Sequence, residues 1–334
     1  MTALAPVAEE RSARTALPAI AAVRSASSVG VVSYVDRLAA LLEEIGVDYR
    51  PCERSGRARV AHLHLANSSR RVLWDAATSP SPLVTVHDVL PRTDALRPFY
   101  RRVAYPLLRR ATLTIVHSRF AADMLQRARG GGARVEVVPH PVTTFASLDR
   151  DAARRALGWE GETPLFVLPG VLKRAKLVSE VLSAAAPLLQ RRRLRLALVG
   201  SIGDKRVANR ARDLGVQVLA GPGRVTYEQA IVAADAVLVL RDRSVGETNG
   251  PLLDALGAGR PVLATAVGSI PELADDAALY CGPSAAQIRA SLVRFCDSDE
   301  LDLRAAHSRA RARMFSGSLV AAAHEHHFRE VLDG

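Results

Sequence analysis

Cysteine is scarce in this chain of 334 residues: Cys52, Cys281 and Cys296 are odd in number and far apart. That excludes a disulfide framework, leaves no zinc-ligand spacing, and fits a reducing compartment. Aromatic residues make up 4%, too few for a platform on which unpaired bases stack. No apolar run approaches the roughly 20 residues that cross a bilayer, and Met1–Ala16 carries acids without an apolar signal core. A cytoplasmic protein is therefore expected. Lysine is rarer than any of these classes would suggest. Of 45 basic residues only Lys173, Lys176 and Lys205 are lysines. The formal net charge of +11 rests on arginine, a skew that GC-rich coding produces without a polyanionic partner, and nucleic acid is not expected as a ligand.

What is abundant is apolar residue, 49% of the chain. The length exceeds what one core usually supports, so two domains are expected, 1–148 and 149–334. Met1–Arg150 holds 21 arginines against 13 acidic residues, +8 of the total +11, compatible with an anionic acceptor or with the inner face of a membrane. Short apolar runs alternate with helical periodicity throughout, the mark of parallel α/β sheets. In the first half, strands are predicted within Thr15–Val23 and over Val60–Leu65, Leu83–Asp88, Leu113–Val116 and Val135–Val138. A small-residue turn through Gly30 leads into a helix with Val35, Leu38, Leu41, Leu42 and Ile45 on one face, and Leu96–Arg110 is predicted as an arginine-rich helix. Periodicity lapses over Thr143–Asp151. Beyond it the predicted strands are Leu165–Leu168, Leu194–Val199, Val216–Leu219, Ala236–Leu240, Pro261–Ala264 and Ala278–Tyr280, and the tail Ser316–Leu332 reads as an amphipathic helix able to pack back on the first domain.

The stretch Ser244–Leu263 organises the second half. It follows the buried strand Ala236–Leu240, and Thr248 or Asn249 can cap a helix whose first turn accepts Pro251. Leu252, Leu253 and Leu256 form the apolar face of that helix, and Gly257 and Gly259 end it. A strand running straight into a helix start presents unpaired N–H groups and partial positive charge at the sheet edge where open α/β sheets bind ligands. An acid placed there, Glu247, points to a phosphorylated or sugar-bearing ligand.

Five segments in order resemble the retaining glycosyltransferases of family 4, whose fold, GT-B, is two facing Rossmann-like domains. They are Pro169-Gly170 with Lys176 six residues on, Leu196–Gly200, Ala233–Val237, Gly246-Glu-Thr-Asn-Gly250 with Leu253–Gly259, and Arg260–Ala264 with Gly268-Ser-Ile-Pro-Glu272. The first half is similar through Ser28–Val32, Thr85-Val-His-Asp88, Val116-His-Ser118 and Val138-Pro139. The resemblance implies an α/β protein of doubly wound parallel sheets, with donor and acceptor meeting in an interdomain cleft. It implies metal-independent transfer of a sugar from a nucleotide diphosphate sugar, with retention, to an acceptor hydroxyl, without a cofactor. Lys176 matches the family's phosphate lysine, Gly170 the close approach to phosphate, Glu247 the sugar-contacting acid, and His87 a histidine that contacts the donor sugar. Asp88 would orient His87 or serve the acceptor, and Gly30 would lie near the diphosphate. Thr248, Asn249, Gly250 and Leu252 would form the helix start around the donor.

The chain departs from the family in two places. The arginine expected after Gly170 is Val171, with Lys173 and Arg174 as candidate replacements. Asp254 stands one residue short of the family's ribose-binding glutamate and one methylene shorter, so it is either a ribose ligand or a helical surface acid. Other motifs have simpler readings: Asp297-Ser-Asp299 as a helix cap, Gly130–Gly132 as a loop, and His324, His326 and His327 as helix residues without a metal set. The acceptor is left open, an anionic or lipid-linked molecule being one candidate, and Arg101, Arg102, Arg109 and Arg110 either meet a membrane surface or an acidic acceptor or form the solvated side of a half-buried helix. Two rivals stand beside the transferase: a nucleotide-sugar epimerase on the same scaffold, and a non-catalytic relative that binds nucleotide sugars.

Overall fold

The computed structural model describes residues 17–24, 29–55, 60–66, 74–75, 77–79, 82–132, 134–145, 148–297 and 299–333. The N-terminal stretch 1–16 and the turn residues 25–28 expected before Gly30 lie outside the described residues.

Among the described residues, twelve strands are arranged in two parallel sheets with helices between them. The first sheet contains β1 (Ile20–Val23), β2 (Tyr49–Cys52), β3 (Val60–Leu65), β4 (Leu83–Val86), β5 (Leu113–Val116) and β6 (Arg134–Val137), in the order β2-β1-β3-β4-β5-β6. The second contains β7 (Leu165–Pro169), β8 (Arg195–Gly200), β9 (Gln217–Ala220), β10 (Ala236–Val239), β11 (Val262–Thr265) and β12 (Ala278–Cys281), in the order β12-β11-β10-β7-β8-β9. Central strands such as LVTV, LFVLP and AVLV are buried along their whole length. That is what a sheet covered on both faces by crossover helices requires. In the second sheet the strand order reverses between β7 and β10, the switch point at which neighbouring loops diverge and leave a crevice.

The helices that matter below are α1 (Val29–Glu43), α2 (Arg119–Arg129), α3 (Arg150–Leu157), α4 (Val178–Gln190), α5 (Lys205–Asp213), α6 (Arg224–Ala233), α7 (Gly250–Gly257), α8 (Ile270–Ala274), α9 (Ala285–Asp297), α10 (Glu300–Met314) and α11 (Gly317–Asp333). The last of these returns to the first sheet. Its Val320, Ala321 and Phe328 lie in one apolar core with Tyr34, Leu38 and Leu42 of α1, and the Phe328 ring stacks on Tyr49 at 5.9 Å between centroids.

One predicted element differs from what the structure contains, and one observed strand was not predicted. The arginine-rich segment is not one regular helix to Arg110. A tight turn at Asp94–Leu96 leads through Arg97–Phe99 into a wide-turn stretch, Tyr100–Ala104, and helical structure ends at Leu108. Pro98 and Pro106 explain the irregularity, because each lacks an N–H and Pro106 forces the preceding turn to widen. Strand β2 was not predicted. It is an edge strand whose Arg50 and Pro51 interrupt any apolar pattern.

The first domain buries a cluster of histidines. His62, His64, His117 and His324 are buried, and His87 and His140 nearly so, all gathered around Tyr34 and Tyr49. The hydrogen bonds of His62, His64, His87 and His117 form one directed chain. His117 Nδ1 is 2.9 Å from the carbonyl of Val138, which can only accept, so Nδ1 carries the proton and Nε2 must accept. His87 Nδ1 therefore donates to His117 Nε2 at 3.4 Å, and His87 Nε2 accepts from His64 Nδ1 at 3.2 Å. By the same logic Tyr49 donates to His64 Nε2 at 2.7 Å and accepts from His62 Nδ1 at 2.8 Å, while His62 Nε2 accepts from Thr85 at 2.7 Å. Every ring in the chain is neutral, with one proton and one free lone pair, and a second proton on any of them would set donor against donor.

Burial accordingly holds these rings neutral. It pushes His62, His64 and His87 well below the ordinary imidazole range, His117 to about 4, and His140 and His324 to about 3. A group depressed in the folded state takes up its proton on unfolding, so its stabilisation is complete above the unfolded value near 6.5 and is lost as pH falls below it. Each ring costs about 1.4 kcal/mol per pH unit in that window. The denaturation midpoint should therefore be level from pH 8 to 7 and fall steeply between pH 6.5 and 5, with several protons bound per molecule unfolded. A midpoint independent of pH over that range would contradict the neutral chain.

Candidate functional site

The switch point brings two loops together. After β7, Gly170 adopts φ 101° and donates its N–H to the Val199 carbonyl at 2.8 Å. A Cβ there would stand 2.6 Å from Lys176 Nζ and 3.2 Å from Pro251 Cγ, so glycine is required both for the backbone angle and for space. Lys176 reaches back over this turn, and its Nζ donates to the Pro169 carbonyl at 2.9 Å. Its ammonium is lowered to about 8, first by burial and then by Arg241, with Glu247 opposing.

After β10, the backbone of Arg241 is pinned by Thr265. Its N–H donates to Thr265 Oγ1 at 2.9 Å, and that hydroxyl donates to the Arg241 carbonyl at 2.7 Å. The Arg241 guanidinium then pairs with Glu247 Oε1, with both side chains about one-seventh exposed. Glu247 Oε2 accepts from the Ser244 hydroxyl at 2.8 Å and from the Val245 N–H at 2.7 Å. Burial alone would raise the Glu247 carboxyl. Arg241, the Val245 and Glu247 amides and Ser244 outweigh it and hold the group below the usual glutamate value.

Asn249 caps α7, its side chain accepting from the Leu252 N–H at 3.3 Å, and Pro251 stands in the first turn. Gly250 opens the helix and is exposed, and Thr248 is half-buried. Of the residues singled out from the sequence, Gly170, Lys176, Glu247 and the α7 start thus converge on one crevice.

Three others do not. Lys173 is exposed ahead of the tight turn Arg174–Lys176. Leu252 is fully buried in the core and its N–H is taken by Asn249, so neither side chain nor amide faces the crevice. Asp254 is buried rather than a surface acid: Oδ1 accepts from Thr143 at 3.1 Å and Oδ2 from Tyr227 at 3.0 Å. Burial raises its carboxyl, with those two hydroxyls opposing. Its carboxylate is used to tie α7 to α6 and to the connection between the sheets.

On the opposite wall, His87 follows β4 with both nitrogens engaged by His64 and His117. Asp88 is gripped by Arg92 in two-point geometry, at 2.8 and 3.1 Å. Gly30 lies in the first turn of α1 with open space around it. The two walls touch at the loop that carries Glu247. The Leu90 N–H donates to the Val245 carbonyl at 2.9 Å, and Gly246, at φ 87°, sits where a Cβ would strike Val89 at 2.6 Å. A second contact is electrostatic. Both oxygens of Glu272, on α8, accept the first amides of α2, Arg119 at 2.8 Å and Phe120 at 3.0 Å, while Ser118 accepts the third, from Ala121, at 3.1 Å. A carboxylate from one domain thereby completes the helix cap of the other.

Among the described residues, one group has ligand atoms spaced to hold a metal ion, His326, His327 and Glu330 on α11, and Glu330 is already paired with Arg134. Arg241 was not foreseen from the sequence, and neither were Ser244 and Tyr227. The available signal was the basic residue placed directly after β10, facing the turn that lacks its expected arginine.

Residues 163–297 match the family described as glycosyl transferases group 1. No curated protein matches the chain by sequence. Among solved structures, sucrose-phosphate synthase (tll1590) from Thermosynechococcus elongatus is 16% identical with a TM-score of 0.79, over 95% of this chain and 99% of that one. Alr3699/HepE from Anabaena, in complex with UDP and glucose, is 16% identical with a TM-score of 0.73, over 94% and 99%. A glycosyltransferase from Rickettsia africae ESF-5 is 13% identical with a TM-score of 0.72, over 96% and 99%. The fold is GT-B.

The Glu272 contact makes a local prediction. Glu272→Ala should speed hydrogen exchange at the Arg119 and Phe120 amides by about tenfold, near 1 kcal/mol for a lost cap, and leave the Ala121 amide, held by Ser118, nearly unchanged. Equal exchange in parent and variant would show that the carboxylate does not hold the domains together.

Proposed function

From a glycosyl transferases group 1 domain over residues 163–297, set in a GT-B fold, we infer that the protein is a glycosyltransferase that moves a sugar from a nucleotide diphosphate sugar to an acceptor hydroxyl, with retention and without a metal. The observation that carries this reading is the convergence at the β7/β10 switch point of a half-buried cation, a turn that only glycine can make, a helix start and a half-buried carboxylate. Lys176 sits over the Gly170 turn, and Glu247 is held ionised beside it. A diphosphate needs cationic and N–H donors at its oxygens as it departs, and a sugar needs an oriented acceptor for its hydroxyls.

In the proposed step the acceptor oxygen bonds to the anomeric carbon on the face from which the diphosphate leaves. The bond from that carbon to the phosphate oxygen breaks, and the acceptor proton passes to the departing phosphate. Lys176 stabilises the charge that develops there. Glu247, locked by Arg241, Ser244 and the Val245 amide, orients the sugar. The first domain is assigned the acceptor. Its exposed Arg101, Arg102, Arg109 and Arg110 favour an anionic or lipid-linked molecule presented at a membrane surface. No described helix is long and apolar enough to cross a membrane, so such contact would be peripheral. UDP and glucose occupy the similar Anabaena structure, which makes a UDP-sugar the first donor to try.

The test is nucleoside diphosphate release from a panel of nucleotide sugars in the presence of chelator. Lys176→Ala should lower kcat by about 100-fold or more with little change in denaturation midpoint, Glu247→Ala should lower kcat as far and also lower the midpoint because it leaves Arg241 unpaired, and the parent kcat/KM should decline as pH rises through about 8, where free Lys176 loses its proton. Variants as fast as the parent, or activity abolished by the chelator, would reject this function. Conversion of the donor without any acceptor would instead identify an epimerase.

A further inference from the structure

The turn after β7 lacks the arginine that the resemblance to the family 4 glycosyltransferases implies after Gly170. Val171 occupies that position and is half exposed, and neither neighbouring cation replaces it in the crevice, since Lys173 and Arg174 are both exposed. A cation nevertheless comes close to Lys176 and Glu247 from another strand. Arg241 leaves the end of β10, paired in register with β7. The next residue, Asp242, donates its N–H to the Ala175 carbonyl at 3.2 Å, which stitches this loop to the residue before Lys176.

Among the described residues, the one partner of the Arg241 side chain is Glu247. A guanidinium presents a planar fork of N–H groups that can grip a phosphate while one arm is engaged elsewhere. Charge balance points the same way. Two shielded cations, Lys176 and Arg241, face one carboxylate, Glu247, and the proximity of Arg241 helps to depress the lysine. A site with surplus positive charge inside a crevice is stabilised by an incoming anion.

We propose that Arg241 is the second diphosphate ligand of this protein, taking the place of the arginine missing at position 171 and gripping the phosphate while it holds Glu247. One guanidinium then links the leaving group to the carboxylate that orients the sugar. The inference rests on the function proposed above, because it presumes a nucleoside diphosphate in this crevice.

The experiment is calorimetric titration of the full chain with UDP, GDP, ADP and dTDP, followed by the monophosphate of whichever diphosphate binds. If the parent binds none of the four, the function itself is rejected. Given binding, Arg241→Gln should weaken the diphosphate by about 30-fold and the monophosphate by no more than about threefold, the selectivity expected for loss of a charge-assisted phosphate contact. Val171→Arg added to Arg241→Gln should recover about tenfold. Diphosphate binding at parental strength in Arg241→Gln overturns the proposal, and so does an equal loss for both nucleotides, which would mean that Arg241 acts only by placing Glu247. A double variant no better than Arg241→Gln overturns the exchange of roles with position 171. Arg241→Lys, which keeps the charge, serves in place of the glutamine variant if that variant does not fold, with the same outcomes read as a smaller loss.

Discussion

A carboxylate cannot lie buried between two domains unless something compensates its lost hydration, and the crevice is arranged around that demand. Removing an unpaired ion from water costs several kcal/mol, and for Glu247 the compensation comes from Arg241, Ser244 and the Val245 amide. Those contacts fix the loop from Ser244 to Glu247. The fixed loop lies so close to Val89 that Gly246 has no room for a side chain, and it accepts the Leu90 N–H. Local electrostatics thus set how the domains meet. With Arg241 committed to the carboxylate, Lys176 shares the crevice with a second cation, and the whole arrangement is suited to an anion.

The two domains treat buried polar groups in different ways. The second concentrates ionised groups at its switch point, where a charged ligand would complete the pairing. The first pairs its buried Asp88 with Arg92 but joins its buried histidines in a neutral chain, from Thr85 through three histidines and Tyr49 to His117 and the Val138 carbonyl. A directed chain of single-proton rings is rigid in its tautomers as well as its positions. It fixes His87 at the edge of the cleft without placing a charge on the ring.

Much of this was legible in the sequence. The alternation of apolar runs and helical periods predicts both sheets, because fully buried strands need continuous apolar residues. The cap at Asn249 with Pro251 in the first turn follows from local rules, and Gly170, Lys176 and Glu247 stand at strand ends where such sheets hold ligands. Destinations of side chains were less legible. Asp254 lies seven residues from Glu247, a spacing that suggests a common face, yet Glu247 precedes the helix, and the Asp254 carboxylate is drawn off by Thr143 and Tyr227. Leu252 belongs to the core. Arg241 was one arginine among many, and its role depends on a neighbour in space, β7, that is about seventy residues away in the chain. The histidine chain draws on residues of β2, β3 and β4 and on the ends of β4, β5 and β6, which no local window contains.

The central claim is that the donor diphosphate lies between the Gly170 turn, Lys176 and the start of α7 with Glu247 alongside. A crystal structure of the protein with a bound nucleoside diphosphate tests it most directly. The account predicts phosphate oxygens within about 3 Å of Lys176 Nζ and of the Arg241 guanidinium, in the crevice between β7 and β10. A diphosphate bound elsewhere, with Lys176 still turned onto the Pro169 carbonyl, would contradict it.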